Sequence, residues 1–195
     1  MPSIIQTDQL KSADGVTTYL NSGTLSNLTF PAGHVLQVVQ AVKTDVQNVT
    51  SSSSAVNWTT VTNLEPSITP SATSSKILVN ISISHSSETY SNLVKLQAKT
   101  GSGSFADLTG AIGPASGSKS RITLSGVGGS LDQGEISTNS MMYLDSPSTT
   151  SARSYQIQFT HRHLGTGVIN KSYEDADADY AGRGISTITL MEIAG

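Results

Sequence analysis

The chain has 195 residues, eleven basic and fourteen acidic side chains for a net charge of −3, and no cysteine. Without thiols there is no disulfide, thiolate zinc site or cysteine nucleophile, and basic residues scattered singly leave no electrostatic footprint for a nucleic-acid backbone. Length allows one core, and although hydrophobic residues are only 36% and charged residues 13%, Ser, Thr, Asn and Gly alternate with Val, Ile and Leu as exposed sheet faces do.

Met1 to Leu20 carries Asp8, Lys11 and Asp14 in polar sequence, so neither a signal-peptide core nor a membrane-spanning segment is expected there. Residues 1–32 mix short apolar groups (Ile4, Ile5, Leu25, Leu28, Phe30) with Gly15, Gly23 and Pro31, without helical period or a long strand. They read as an N-terminal docking arm whose backbone is satisfied on a neighbour.

From Gly33 onward, residues 33–195 read as one β knob. Val35 to Val42 predicts a strand more buried than half-exposed, and Val56 to Val61 a second, with the only tryptophan, Trp58. Leu64 to Thr69 predicts a short strand stopped by Pro70. Lys76 to His85 alternates most clearly, with Ile77, Val79, Ile81 and Ile83 on the core face. Asn92 to Thr100 follows, and Ser86-Ser87 suggests a hairpin between the two. Residues 101–130 are glycine- and serine-rich, with Ile122 and Leu124 marking one weak strand. Met141 to Leu144, Ser154 to His163 and Ile185 to Ile193 complete the set. Helical periodicity is absent throughout, and short strands at this spacing predict an antiparallel jelly-roll-like β-sandwich.

Three segments carry a resemblance: FPAGHVLQVVQAVK from Phe30 to Lys43, ITPSATSSKILV from Ile68 to Val79, and ISTITLMEI from Ile185 to Ile193. In that order they resemble virion structural and tail-fibre-like proteins of marine tailed phages, including cyanophages. The resemblance spans roughly Pro31 to Gly195, and Met1 to Leu28 looks like the attachment segment of such proteins. It implies a compact β knob, commonly a homotrimer, held on the virion by an N-terminal anchor. Trp58, Tyr155, Phe159 and Met191 are the candidate trimer contacts, each otherwise an ordinary core residue.

Candidate chemistry is sparse. Asp175, Asp177 and Asp179 beside Glu174 resemble the start of a calcium loop, but Tyr180 and Ser186 stand where an EF-hand loop needs glycine and glutamate, which leaves a solvated acidic loop. His161 and His163, two apart on a strand, would share one face and could hold zinc, but no third ligand is evident. Serines and histidines are present without a nucleophile elbow or phosphate-cradling turn, so no enzyme and no cofactor is expected. Sequons such as Asn57-Trp58-Thr59 read as strand residues.

Two functions follow. In one, the arm binds other virion proteins, capsid or tail, and the knob decorates or extends the particle. Without heptads or a fixed-period repeat for a shaft, a short appendage fits better than a long fibre. In the other, loops carrying Tyr173, Tyr180 and Arg183 bind a host glycan or surface protein, although aromatic residues make up only 5% of the chain.

Overall fold

Apolar residues at every second position make the strands, and the faces they define meet in one core. Ile77, Val79, Ile81 and Ile83 are fully buried as their alternation requires, and Leu96, Ile157, Ile188 and Leu190 pack with them. The structure is a computed structural model. It describes residues 30–52, 56–87, 90–126 and 134–195, and the backbone of three short strands before them.

Those three, β1 (Gln9–Lys11), β2 (Thr18–Asn21) and β3 (Thr24–Leu25), pair antiparallel as a small sheet of their own. Ile4, Ile5 and Leu28 lie outside the described residues. The knob contains β4 (Val35–Lys43), β5 (Gln47–Ser51), β6 (Thr59–Thr60), β7 (Ser67–Ile68), β8 (Lys76–Ser87), β9 (Asn92–Thr100), β10 (Ala106–Asp107), β11 (Leu124–Gly126), β12 (Ser137–Asp145), β13 (Arg153–His161), β14 (Gly165–Ile169) and β15 (Ser186–Ile193). Among the described residues the helical content is one 3-10 turn, Thr109–Ala111.

Two six-stranded antiparallel sheets form the sandwich. The first runs β4-β15-β8-β12, with β5 and β14 continuing beyond β4 and β15 along the same edge of β8. The second runs β6-β13-β9-β10, with β7 beside β6 on β13 and β11 beside β10 on β9. If β6 with β7 and β10 with β11 are taken as single interrupted strands, the sheets carry the principal strands in the orders 1-8-3-6 and 2-7-4-5. That is the double Greek key of a jelly roll.

Several sequence expectations are corrected. Ser86-Ser87 does not turn a hairpin: the chain crosses there from the first sheet to the second, and β9 pairs with β13. Crossing lets β8 and β9 turn their apolar faces toward one another, whereas a hairpin would align both on one side. The strand at Val56 to Val61 contracts to Thr59–Thr60, and that at Leu64 to Thr69 to Ser67–Ile68. Pro66 and Pro70 flank the latter and cannot donate to a ladder. β4 is an edge strand, and Val35, Val38 and Val42 are exposed rather than buried. β5 and β14 were not anticipated, because QNVTS and GTGVI are too polar or glycine-rich to stand out.

The break between β14 and β15 is closed by one side chain. Asn170, in the left-handed region at φ 64, donates from Nδ2 to the carbonyls of Lys43 (2.9 Å) and Asp45 (3.0 Å). Its Oδ1 accepts from Ser186 Oγ (2.6 Å), whose oxygen accepts from the Ser84 amide (3.0 Å). Four chain segments thus meet on a buried, satisfied polar group where the ladder is interrupted.

Two ends are thereby defined. At the base, Gly33 and Ala194 exchange backbone hydrogen bonds with their surroundings, Gly33 N to Ala194 O and Ala194 N to His34 O, each 2.8 Å, so the arm leaves beside the C-terminus. β8 starts at this end with Lys76 and its twelve residues reach the tip at Ser87, on the order of 36 Å away.

Candidate interaction face

The outer surfaces of the two sheets differ in kind. On the second sheet the outward side chains are Lys95, Gln97 and Lys99 of β9 and Ser154, Gln156 and Gln158 of β13, and they are joined to one another and to their neighbours. Gln156 Nε2 donates to Gln97 Oε1 (2.7 Å), Gln158 Nε2 to Thr60 Oγ1 (2.7 Å), and Lys95 pairs with Asp107 (2.8 Å) and Lys99 with Glu65 (2.9 Å). Lys95 also lies over the Trp58 ring and Lys99 over Phe105. For Asp107, burial pushes its carboxyl up, but hydrogen bonds from Lys95 and Gln97 outweigh it and hold the group below the usual carboxylate range. The polar groups of this face are thus satisfied by one another, and Ser154 and Gln156 are buried among them.

On the first sheet the register sets an apolar row across the whole width. Met191 of β15 stands opposite Val38 of β4 on one side and Leu78 of β8 on the other, and Leu78 stands opposite Leu144 of β12. All four point away from the core. Val38 is 56% exposed and Leu144 46%; Met142, next on this face of β12, is 68% exposed, and Val42 (45%) stands further along β4, beyond Gln40. Around them lie Gln40, Thr189, Asn80, Thr187 and Ser82, uncharged, with Gln40 Nε2 donating to Thr189 Oγ1 at 2.7 Å. Lys76, at the base, is the one charge among these outward positions of β4, β8, β12 and β15.

Four strands about 4.8 Å apart and eight to twelve residues long, with side chains overhanging, give a face on the order of 600–800 Å², the scale of one side of a standard interface. A local sequence signal for it exists. Val38-Val39, Ile77-Leu78-Val79, Tyr143-Leu144 and Leu190-Met191 are adjacent apolar residues in strands, so one member faces the core and the other faces out.

The expected trimer or core contacts separate accordingly. Tyr155 and Phe159 are fully buried between the sheets, Trp58 lies half-buried under Lys95 on the polar side, and Met191 alone belongs to the apolar row. The Tyr155 hydroxyl donates to Asp145 Oδ2 (2.8 Å), and burial together with that carboxylate pushes its pKa far up.

The acidic loop is paired internally. Asp175 takes ion pairs from Arg183 (2.5 Å) and Lys171 (3.2 Å), while Asp177 and Asp179 stay exposed, and no metal-binding group of three occurs among the described residues. Of the expected receptor residues, Arg183 is thus tied down, Tyr173 is half-buried, and Tyr180 is 61% exposed. Phe30 of the arm stacks on His34 (centroids 4.8 Å apart) at the edge of a base cavity of about 460 Å³ shared with Leu36, Ser71, Ala194 and Gly195.

His161 and His163 do not share a face, because β13 ends at His161 and His163 turns away with φ 79. His161 instead joins a buried chain of side chains that sequence spacing could not reveal. Its Nδ1 donates to Asn92 Oδ1 (3.1 Å), Asn92 Nδ2 donates to His85 Nδ1 (3.0 Å), and His85 Nε2 donates to Asn139 Oδ1 (2.6 Å). An amide nitrogen only donates, so His85 is neutral with its proton on Nε2. Burial pulls the pKa of both histidines down, with the nearby His163 adding to the effect at His161.

No family model matches the chain and no curated protein matches it. Among solved structures it is similar to chains in the structures of infectious bursal disease virus strains Gt (TM-score 0.42, 10% identity) and Gx (TM-score 0.37, 9% identity). It is also similar to the D431N mutant VP2 protein of that virus in T=1 particles (TM-score 0.35, 10% identity). All of this chain is covered in each case but only 43%, 47% and 41% of the other, so it spans less than half their length. A likeness at this level assigns no function.

Proposed function

We propose that the chain is a non-enzymatic structural subunit of a virus particle, of the tailed-phage kind its sequence resembles. In this reading the jelly-roll knob associates as a homotrimer through the outer face of the first sheet, and the N-terminal arm of residues 1–32 binds other virion proteins at the base. The observation that carries it is the row Val38, Met191, Leu78 and Leu144, apolar across all four strands and facing out. An uncharged face of this kind suits a second copy of the same chain, since no charge complementarity is called for. Its two margins differ: valines along β4 (Val35, Val38, Val42) and Met142 with Leu144 along β12. Contact of one margin with the other is heterologous, and three subunits form the smallest ring such a contact closes.

The test is the solution mass by light scattering of the full chain and of a chain beginning at Ala32. Trimers in both support a knob that oligomerises by itself with the arm left for docking. A dimer would replace the ring by a two-fold, face-to-face contact, and monomers in both overturn the proposal.

A further inference from the structure

We propose that the tip of the knob carries a binding site for an acidic saccharide, centred on Arg162 and Lys119. A cleft of about 510 Å³ opens there, within the size range of small-ligand sites, walled by Ser91, Ser118, Lys119, Ser120 and Arg162 over Leu93, with no acidic side chain among its described residues. Its walls are fixed by the backbone: Arg162 N donates to Ser91 O (3.0 Å), and Lys119 N closes a turn on Ser116 O (3.1 Å).

The two cations stand apart from the rest. Lys43, Lys95, Lys99, Arg153, Lys171 and Arg183 are each in an ion pair, and Arg121 donates from Nε to the Gly113 carbonyl at 2.7 Å. Arg162 and Lys119 are exposed and have no ion pair among the described residues. The other such cation in the knob, Lys76, lies at the opposite end.

A second observation lies beside the cleft. Tyr90, next to Ser91, stacks on His163, next to Arg162, with ring centroids 4.5 Å apart and planes 26° from parallel. Both residues hold positive φ, 61 and 79, a conformation that non-glycine residues adopt at a cost and that tends to cluster at ligand sites. Tyr90 is 49% exposed and precedes Ser91 of the cleft wall, so an exposed aromatic ring lies beside a cleft that holds three serines and two cations with no ion pair among the described residues. A pyranose ring lays its apolar C–H face on an aromatic ring, its hydroxyls bond to serine, and a carboxylate or sulfate on it meets the arginine fork and the lysine. Because the arm leaves at the base, a particle carrying the knob by its arm would present this cleft outward. The site itself does not depend on how the subunits associate.

Isothermal titration of the full chain with three oligosaccharides of equal length tests it: one sulfated, one built of uronic acids and one neutral. At least one acidic probe is expected to bind with a Kd ten-fold or more below the neutral one; whichever acidic probe binds identifies sulfate, carboxylate or both as the recognised group. The paired substitution Arg162→Gln with Lys119→Gln should raise that Kd ten-fold or more while leaving the thermal unfolding midpoint in place, since both side chains are exposed, and Tyr90→Ala should raise it several-fold. No binding of either acidic probe, equal binding of the neutral one, or an unchanged Kd in the double variant overturns the proposal.

Discussion

Met191 lies directly across from Leu78, one strand over, and both side chains leave the first sheet on the side away from the core. With Val38 and Leu144 they form an apolar line that no polar group interrupts. Their outward position separates association from folding. Met191→Lys should weaken self-association by about 2 kcal/mol or more, the scale of a central interface residue, and lower the mass in light scattering, with little change in thermal midpoint. Gln97→Lys, on the polar outer face, should leave the mass as it is. The reverse pattern would place the contact on the other sheet.

The buried chain His161, Asn92, His85 and Asn139 makes stability depend on pH. Both histidines have folded pKa values below the ordinary 6.5, chiefly through burial, so the unfolded chain takes up protons first. Their contribution is therefore full above about pH 6.5 and is lost as pH falls through that value toward the lower folded pKa. Urea midpoints should drop between pH 7.5 and 5.5, and the drop should shrink in His85→Gln. A flat profile over that range would mean that the folded and unfolded chains take up protons alike, so that burial does not lower these two pKa values.

Gly126 packs against the His85 ring so closely that an added Cβ meets Cε1 and Nε2. The ring has nowhere to retreat, being hydrogen-bonded at both nitrogens. Gly126→Ala should cost about 1–3 kcal/mol in urea unfolding, the range for forcing atoms into a filled core, whereas Gly117→Ala, where a Cβ has open space but φ is 53, tests backbone strain alone.

Asn170 separates two effects in the same way. Asn170→Gly keeps the left-handed backbone but loses the bonds to Lys43, Asp45 and Ser186. Leaving such buried groups unpaired costs about 1–3 kcal/mol apiece. Chemical denaturation should show most of the loss in the glycine variant and a further, smaller one in Asn170→Ala.

The sequence by itself determined the strands whose two faces contrast. Ile77 to Ile83 faces the core as read, Asn92 to Thr100 spans its predicted limits, and β13 and β15 lie within a residue or two of theirs, because alternation is a local property that burial then obeys. Weakly patterned segments such as β5 and β14 were not legible, since they form only by pairing with strands already in place. Which strand lies beside which was decided by the tertiary structure alone. Backbone hydrogen bonds carry no residue identity, so nothing local states that Ser86-Ser87 crosses between sheets, that Asn92 joins two distant histidines, or that Met191 meets Val38 and Leu78. The apolar doublets said that a second face exists. Only the register assembled it into one surface, and only the folded chain brought Arg162 and Lys119 together at the tip.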